Sequence, residues 1–144
     1  MASAAAIGEH AIEVEGLNLW YGSFQALFEV DLTVKRGIVT ALIGPSGCGK
    51  STLLRSCNRI NERLGYVSTT GTIKVLGHDI YAADSSPIQV RRHVGMVFQR
   101  PNPLPISIRD NVLFGYRIHN GKAAGNKTEQ EEILEKALRE VLLW

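Results

Sequence analysis

The first third of the chain alternates apolar and polar residues in the pattern of half-buried β-strands. The segments "AIEVEGLNLWYG" and "FQALFEVDLTV" carry this alternation at Ile12, Val14, Leu17, Leu19, Val30, Leu32 and Val34. The turn residues Lys35, Arg36 and Gly37 follow the second segment. The pattern therefore predicts antiparallel strands at the front of the fold.

A continuous apolar run, "IVTALI" at residues 38–43, comes next and predicts a strand that is buried on both faces. A glycine-rich loop follows it. The segment "KSTLLRSCNRI" then predicts a helix with Leu53, Leu54, Cys57 and Ile60 on one side. This order predicts a strand–loop–helix unit directly behind the antiparallel strands.

The middle of the chain predicts shorter elements. The segment "GTIKVLGHDI" predicts a strand pair around Gly77, and "SSPIQVRRHV" predicts a short helix with Pro87 in its first turn. The segment "GMVF" predicts another short buried strand. We expect Arg91 and Arg92 at a solvated helix end, and Cys57 in the core.

The last third of the chain predicts helices. Ser107 and Asp110 form a capping-box-like pair before "NVLFGYRI", and Thr128 with Glu131 is a second capping signal behind the loop "GKAAGNK". The final helix carries apolar residues at helical spacing, namely Ile133, Leu134, Ala137, Leu138, Val141 and Leu142. The predicted fold class is therefore α/β, with an antiparallel β-subdomain at the front.

Composition narrows the class of protein. A chain of 144 residues with 44% hydrophobic and 21% charged residues suits one globular domain. We expect residues 1–10 to form a flexible leader and residues 11–144 to form the domain. The net charge of +2 gives no support for a nucleic-acid partner. The two cysteines are too few for a disulfide framework, and no apolar run reaches the roughly 18 residues that span a bilayer.

The clearest chemical signal is "GPSGCGKS" at residues 44–51, which fits the phosphate-loop pattern G-x-x-x-x-G-K-[ST] between a predicted strand and a predicted helix. Its glycines let consecutive N–H groups face a polyphosphate. Lys50 is expected at the β- and γ-phosphates, the Ser51 hydroxyl on Mg²⁺, and the Thr52 hydroxyl at the α-phosphate. The nucleotide-binding candidates here are Gly44, Pro45, Ser46, Gly47, Cys48, Gly49, Lys50, Ser51 and Thr52. Cys48 is expected to be a small filler without a redox role.

The nucleotide is expected to be ATP rather than GTP. The segment "GNKTE" at residues 125–129 has Glu129 where a guanine-reading N-K-x-D motif needs aspartate, and no D-x-x-G follows the phosphate loop. Trp20 and Tyr21 stand before Gly22 in the front strands, and an aromatic face can stack on adenine.

The order of "WYGSFQAL", "GPSGCGKSTLL" and "GMVFQRPNPLPISIRDNV" resembles the nucleotide-binding subunits of ABC transporters, over residues 12–144. The resemblance implies a P-loop NTPase of ABC type, with an antiparallel β-subdomain, a P-loop strand–helix unit and the start of a helical subdomain. It implies that Tyr21 stacks on the adenine, with Ala26 on the same face. It also implies that the Gln99 amide reaches the Mg²⁺ and the attacking water, which makes Lys50 and Gln99 the candidate catalytic residues.

The segments "QRPNPLPISIRDNVLFGYRIH" and "RSCNRINE" are similar to the phosphate-import branch of that family. The resemblance implies ATP hydrolysis coupled to import of inorganic phosphate, peripherally at the cytoplasmic face of the cell membrane. The implied partners are membrane permease subunits and a second ATP-binding subunit in a head-to-tail homodimer. Two alternatives stay open: an ABC ATPase for another small solute, and a short nucleotide-binding module without catalysis.

Three family motifs do not occur in the sequence: the signature L-S-G-G-Q, the acidic motif of four apolar residues followed by Asp-Glu, and a switch histidine. The segment "FEVDL" at residues 28–32 lacks the apolar run, and His119 lacks the surroundings of the switch. The chain ends on "EVLLW", inside a predicted helix. We therefore expect the ABC domain to be incomplete, ending within the helical subdomain, and to bind MgATP without promoting its hydrolysis well.

Three of the five prolines, Pro101, Pro103 and Pro105, follow Gln99 directly. Proline lacks a backbone N–H and restricts the residue before it, so this segment is expected to stay out of helix and sheet. The resemblance implies that it contacts the membrane subunits. We expect a stiff connector of this kind to transmit a shift at Gln99 to the surface that begins at Ser107.

Overall fold

The computed structural model describes residues 9–121 and 125–144. Residues 1–8 of the predicted leader, and residues 122–124 of the predicted loop "GKAAGNK", lie outside the described residues. The chain divides into two compact units, Met1–Met96 and Val97–Trp144.

The first unit is built on an antiparallel sheet, as the alternating pattern predicts. Its four strands in the described chain are β1 (His10–Tyr21), β2 (Phe24–Lys35), β3 (Val67–Val75) and β4 (His78–Asp79), in the order β2-β1-β3-β4. Tyr21 pairs with Phe24 at the tight turn between β1 and β2. Val75 pairs with His78 across Gly77, which confirms the predicted strand pair.

The core of the first unit lies where the sheet meets the segments that follow it. The strands contribute Val14, Leu17, Leu19, Leu27, Ile73 and Val75, and Leu53, Ile80 and Val90 pack against them. Leu19 and Ile73 have no exposed surface. The apolar positions of β1 are buried together because the strand has a neighbour on each side.

The helices of the first unit are short: α1 (Lys50–Ser56), a 3-10 helix (Ile60–Leu64) and α2 (Pro87–His93). Helix α1 ends at Ser56, before the predicted Ile60. The apolar side predicted for it is only partly correct, because Leu53 and Cys57 are buried while Leu54 is 53% exposed. Helix α2 begins as predicted, with Pro87 in its first turn and Ser86 Oγ accepting a hydrogen bond from the Ile88 N–H.

Two predicted strands are wrong. Residues 38–43 and 95–98 adopt neither strand nor helix, and Val39, Ile43 and Val97 are 99%, 94% and 100% exposed. A strand needs a neighbour to bond its N–H and C=O groups, and no strand in the described part of the chain pairs with these segments. Their composition suits a strand, but the four-stranded sheet does not extend to them.

The second unit contains α3 (Ile108–Asn120) and α4 (Lys127–Glu140). Ser107 caps α3 by accepting from the Asp110 N–H at 3.0 Å, as predicted. The predicted cap of α4 at Thr128 is wrong. Asn126 caps this helix instead, since its side-chain oxygen accepts from the Glu129 N–H at 2.9 Å.

Polar contacts join α3 to α4 around a small apolar centre. Leu113 and Leu134 are buried, Arg109 pairs with Glu131 at 2.5 Å, and the Arg117 guanidinium donates to the Gln130 side-chain oxygen at 3.0 Å and 3.1 Å. These contacts hold the two helices together within the second unit.

The proline segment is irregular, as predicted, and a side chain of α3 holds it. Asn111 accepts from the Leu104 N–H at 2.8 Å and donates to the carbonyl oxygens of Leu104, Ile106 and Ser107 at 3.0–3.1 Å. The side-chain amide of Asn111 therefore supplies the hydrogen-bond partners that this backbone would otherwise find in a helix or a sheet. None of the helices within the described residues has the length and apolar character that crossing a bilayer requires.

Candidate functional site

The loop at residues 44–51 runs from the unpaired segment 38–43 into helix α1. Gly47 and Gly49 have φ angles of 82° and 95°, in the left-handed region that favours glycine. A Cβ on Gly49 would lie 2.7 Å from Leu27 Cδ2 and 3.2 Å from the Ala26 carbonyl oxygen. The start of α1 therefore lies close against β2, and the left-handed φ of Gly49 makes the bend of the loop depend on glycine at this position.

The Lys50 side chain turns back over the loop. Its ammonium group donates to the carbonyl oxygens of Gly44 at 2.8 Å and Pro45 at 2.5 Å, and lies 3.3 Å from Cys48 Sγ. A lysine ammonium has three donors and no acceptor, and here its partners are atoms of the loop itself. The Lys50 charge therefore lies against the backbone of the loop that the sequence predicts to bind phosphates.

Ser51 and Thr52 begin α1 but differ in environment. Ser51 is exposed, so its hydroxyl is accessible to a ligand. Thr52 is half-buried, and its Oγ1 lies 3.4 Å from the Tyr21 hydroxyl. The carbonyl oxygen of Thr52 accepts from Ser56 Oγ at 2.9 Å. Pro45, Ser46 and Cys48 are exposed on the loop.

Tyr21, the candidate adenine-stacking residue, lies at the end of β1 next to α1. Its ring meets the Tyr66 ring edge to face, with 6.3 Å between the centroids and 61° between the planes. The Gly22 N–H donates to the Tyr66 carbonyl oxygen at 2.8 Å. The first unit therefore brings Tyr21 and the phosphate-loop helix together, since Tyr21 and its contact Thr52 are 31 residues apart in sequence.

Gln99 belongs to the second unit and is exposed. The structure describes Gln99 with the proline segment and α3, so its role at the metal stays a prediction. The residues that the structure does bring together are Tyr21, Ala26 and the phosphate loop with Lys50, Ser51 and Thr52.

The sequence pattern did not predict the contacts of a group of polar residues that follows helix α1. Asn58 and Asn61 are 4% and 3% exposed, and Arg59 donates to the carbonyl oxygens of Ile80 and Ser85 at 2.8 Å and 3.0 Å. Arg91, expected in solvent, instead donates to the carbonyl oxygens of Asn58 and Arg59 at 3.1 Å and 2.8 Å. The signal available was the run of polar residues that replaces the apolar spacing after Cys57.

Two strongly shifted groups lie away from the loop. Burial raises the pKa of the Cys57 thiol to about 11. Burial, followed by the charge of Glu62, raises the pKa of the Tyr81 hydroxyl to about 12, and the Arg59 guanidinium partly opposes this shift. Both groups are therefore neutral near pH 7, and we assign both a structural role.

The chain is similar in sequence to one family of known proteins. A sequence profile of the family described as "ABC transporter" matches residues 27–143 of the chain. The chain is 48% identical over 132 residues to the phosphate import ATP-binding protein PstB of Rubrobacter xylanophilus, covering 91% of this chain and 45% of that protein. It is also 48% identical over 134 residues to the protein of the same name from Leifsonia xyli subsp. xyli, covering 92% and 51%. The chain thus spans about half the length of the curated relatives it matches.

Proposed function

The chain belongs to the ABC transporter family, and on that premise we propose that it is the ATP-binding part of an importer of inorganic phosphate. The observation that carries the nucleotide site is the phosphate loop itself, with Gly47 and Gly49 in the left-handed region and the Lys50 ammonium above the loop carbonyls. The support for phosphate as cargo is the 48% identity to two proteins named as phosphate import ATP-binding proteins.

The chemistry of the loop suits a magnesium nucleotide. Lys50 supplies a mobile positive charge for the β- and γ-phosphates, and the exposed Ser51 hydroxyl is a hard oxygen ligand of the kind Mg²⁺ prefers. Tyr21 would stack on the adenine, and the Gln99 amide oxygen would complete the metal shell. Bound Mg²⁺ would supply charge neutralisation at the phosphates.

The proposed partners are permease subunits in the membrane and a second ATP-binding subunit packed head to tail. Support for a docking surface comes from the second unit, where Ile106, Ile108 and Ile118 are 46%, 74% and 58% exposed. Exposed apolar side chains of this size suit contact with another protein. Ile106 lies on the segment that Asn111 holds, and Ile108 and Ile118 lie on α3. This partnership would keep the protein at the cytoplasmic face of the membrane.

The nucleotide site is tested by titrating the chain with MgATP and comparing Lys50→Ala with Lys35→Ala. Lys35 is a matched control, since it is 59% exposed and pairs with Glu9 on the surface of the same unit. We expect Lys50→Ala to weaken MgATP binding about 10- to 100-fold, the value of a charge-assisted contact, and Lys35→Ala to leave it unchanged. Equal affinities for Lys50→Ala and the unsubstituted chain would overturn the site.

Catalysis is tested with the same proteins, by measuring the release of phosphate from MgATP. Because the sequence carries neither L-S-G-G-Q nor the acidic motif, the 144-residue chain is expected to bind ATP with negligible turnover. Release of phosphate that Lys50→Ala abolishes would contradict this expectation.

The cargo is tested in the assembled transporter. We expect phosphate, and neither amino acids nor metal ions, to be taken up, and permease subunits to copurify with the ATP-binding subunit. In that complex Gln99→Ala should reduce transport-coupled ATPase activity, because the proline segment after Gln99 would transmit its position to the docking surface. Unchanged coupled activity would remove Gln99 from the mechanism.

A further inference from the structure

Asn61 joins the phosphate-loop helix to the end of strand β1. Its side chain is 3% exposed within the 3-10 helix Ile60–Leu64. Its amide nitrogen donates to the Thr52 carbonyl oxygen at 3.0 Å and to Ser56 Oγ at 3.1 Å. Its amide oxygen lies 3.3 Å from the Tyr21 hydroxyl. One buried side chain therefore contacts both parts of the proposed nucleotide site.

The Tyr21 hydroxyl has a single proton to donate, and its two acceptors are Asn61 Oδ1 at 3.3 Å and Thr52 Oγ1 at 3.4 Å. Both acceptors belong to, or are tied to, helix α1. A tyrosine whose hydroxyl is held in this way cannot tilt its ring without breaking the contact. The orientation of the ring is thus set from the phosphate-loop side of the unit.

Asn61 is itself in a rigid segment. The neighbouring Arg59 guanidinium donates to Ile80 O and Ser85 O, and it forms a two-pronged contact with Glu62 at 2.6 Å and 3.0 Å. Arg91 donates to the Arg59 carbonyl oxygen at 2.8 Å. These bonds fix residues 59–62 to the rest of the first unit, so Asn61 can hold Tyr21 without moving with it.

We infer that Asn61 is a positioning residue for adenine recognition, acting by holding the Tyr21 hydroxyl and thereby the ring that stacks on the base. This inference rests on the proposed function, in which Tyr21 contacts the adenine. A ring that is already oriented loses less conformational freedom when the base binds, so the base binds more tightly. The expected effect is on the binding of the adenosine part of the ligand.

A purely structural role makes a different prediction. The bonds from Asn61 to Thr52 O and Ser56 Oγ also support the end of helix α1. If this were the whole role, removing the amide would loosen the helix and weaken every ligand of the loop alike. The two roles are therefore separated by comparing ATP with a ligand that has the phosphates and no base.

The experiment titrates Asn61→Ala, Tyr21→Phe and the double variant with magnesium ATP and with magnesium tripolyphosphate, by calorimetry on the whole chain. We expect each single variant to bind ATP about 3- to 10-fold more weakly, as the loss of one hydrogen bond gives. Tripolyphosphate affinity should change less than about 2-fold. The double variant should lose less ATP affinity than the two single losses combined, because both changes remove the contact between Tyr21 and Asn61.

Asn58→Ala is the matched control. Asn58 is an equally buried asparagine three residues away, and its amide oxygen accepts from the Ile60 N–H at 3.2 Å. We expect its loss to reduce stability while the ratio of ATP to tripolyphosphate affinity stays as in the unsubstituted chain. The same change of ratio in Asn58→Ala would contradict the inference.

Three outcomes overturn the positioning role. In the first, Asn61→Ala lowers the affinity for tripolyphosphate as much as the affinity for ATP. In the second, the loss of ATP affinity in the double variant equals the two single losses combined. In the third, Tyr21→Phe binds ATP with unchanged affinity. The last decides the question even if Asn61→Ala does not fold. If the unsubstituted chain binds neither ligand, the proposed function fails and the inference falls with it, which is a distinct result from a failure confined to the variants.

Discussion

The sulfur of Cys48 lies 3.3 Å from the ammonium nitrogen of Lys50, at the centre of the phosphate loop. Cys48 is exposed, whereas Cys57 is 5% exposed and its thiol donates to the Leu53 carbonyl oxygen at 3.4 Å. The two cysteines of the chain therefore differ sharply in accessibility. The exposed one reports directly on the position that a nucleotide would cover.

Thiol labelling should separate the two cysteines. Cys48 is expected to react with a maleimide or a disulfide reagent near pH 7.5, while Cys57 stays protected, because burial raises its pKa to about 11 and keeps the thiol neutral. MgATP should slow the labelling of Cys48, because a nucleotide bound in the loop would cover this thiol. Mass spectrometry of the labelled chain measures both rates.

The control for this labelling is Cys48→Ser, which should show no fast-reacting thiol. Protection of Cys48 in Lys50→Ala should need about 10- to 100-fold more MgATP, in line with its weaker binding. Labelling of Cys48 at the same rate with saturating MgATP would contradict the location of the nucleotide.

Gly71 of β3 lies against the backbone of Gly16 in β1, where the pairing of the two strands shifts register. Gly71 has φ of 88°, and an added methyl group would overlap the Gly16 carbonyl. We expect Gly71→Ala to cost about 3 kcal/mol or more of unfolding free energy, because rigid backbone would have to move. Urea denaturation followed by circular dichroism measures the loss.

Gly77→Ala is the matched control for the close approach. Gly77 has a similar φ of 83° but nothing within 4 Å of its added methyl group. Its cost should be only that of the left-handed backbone, about 1 kcal/mol. Equal costs for the two variants would show that the contact with Gly16 is unimportant.

Arg59 binds parts of the first unit that are distant in sequence, and its loss should be costly. The guanidinium donates to Ile80 O and Ser85 O, pairs with Glu62 and lies 5.0 Å from the centre of the Tyr81 ring. We expect Arg59→Ala to lower the unfolding free energy by about 2–4 kcal/mol, because it leaves part-buried acceptors unpaired. Arg63→Ala, an exposed position in the same 3-10 helix, should cost less than about 0.5 kcal/mol. A loss of that small size in Arg59→Ala would contradict the anchoring role.

Local signals in the sequence predicted local features well. The alternation in β1 and β2, the turn at Gly77, the Ser107 cap and the start of α2 depend on neighbours within a few residues. The glycine pattern likewise predicted a curled phosphate loop, and two of its glycines, Gly47 and Gly49, have left-handed φ angles. The cap of α4 was misplaced because Asn126 and Thr128 are both good cap residues two positions apart, and Asn126 starts the helix earlier.

Features that depend on distant partners could not be predicted. The apolar run at residues 38–43 suits a strand, but strand formation requires a neighbouring strand. The residues of the run do not specify which strand that would be. The placement of Asn61 and Arg91 depends on acceptors 9 and 32–33 residues away in sequence. Composition favours the surface for such residues, and only the assembled unit reveals their partners.

The start of helix α3 should weaken at acid pH. The Ser107 hydroxyl, and then the Arg117 guanidinium, lower the pKa of the Asp110 carboxyl below its ordinary value. A pKa that is lower in the folded chain means that the carboxylate stabilises the fold above its ordinary pKa, and that this contribution is lost as the pH falls through the folded pKa. Between about pH 5 and pH 2 the unsubstituted chain should therefore lose more unfolding free energy than Asp110→Asn, which has no charge to lose. Urea denaturation at a series of pH values measures the difference, and a carbon NMR titration of Asp110 should give a midpoint below that of a free aspartate. Parallel pH profiles for the two proteins would show that the cap contributes no charge-dependent stability.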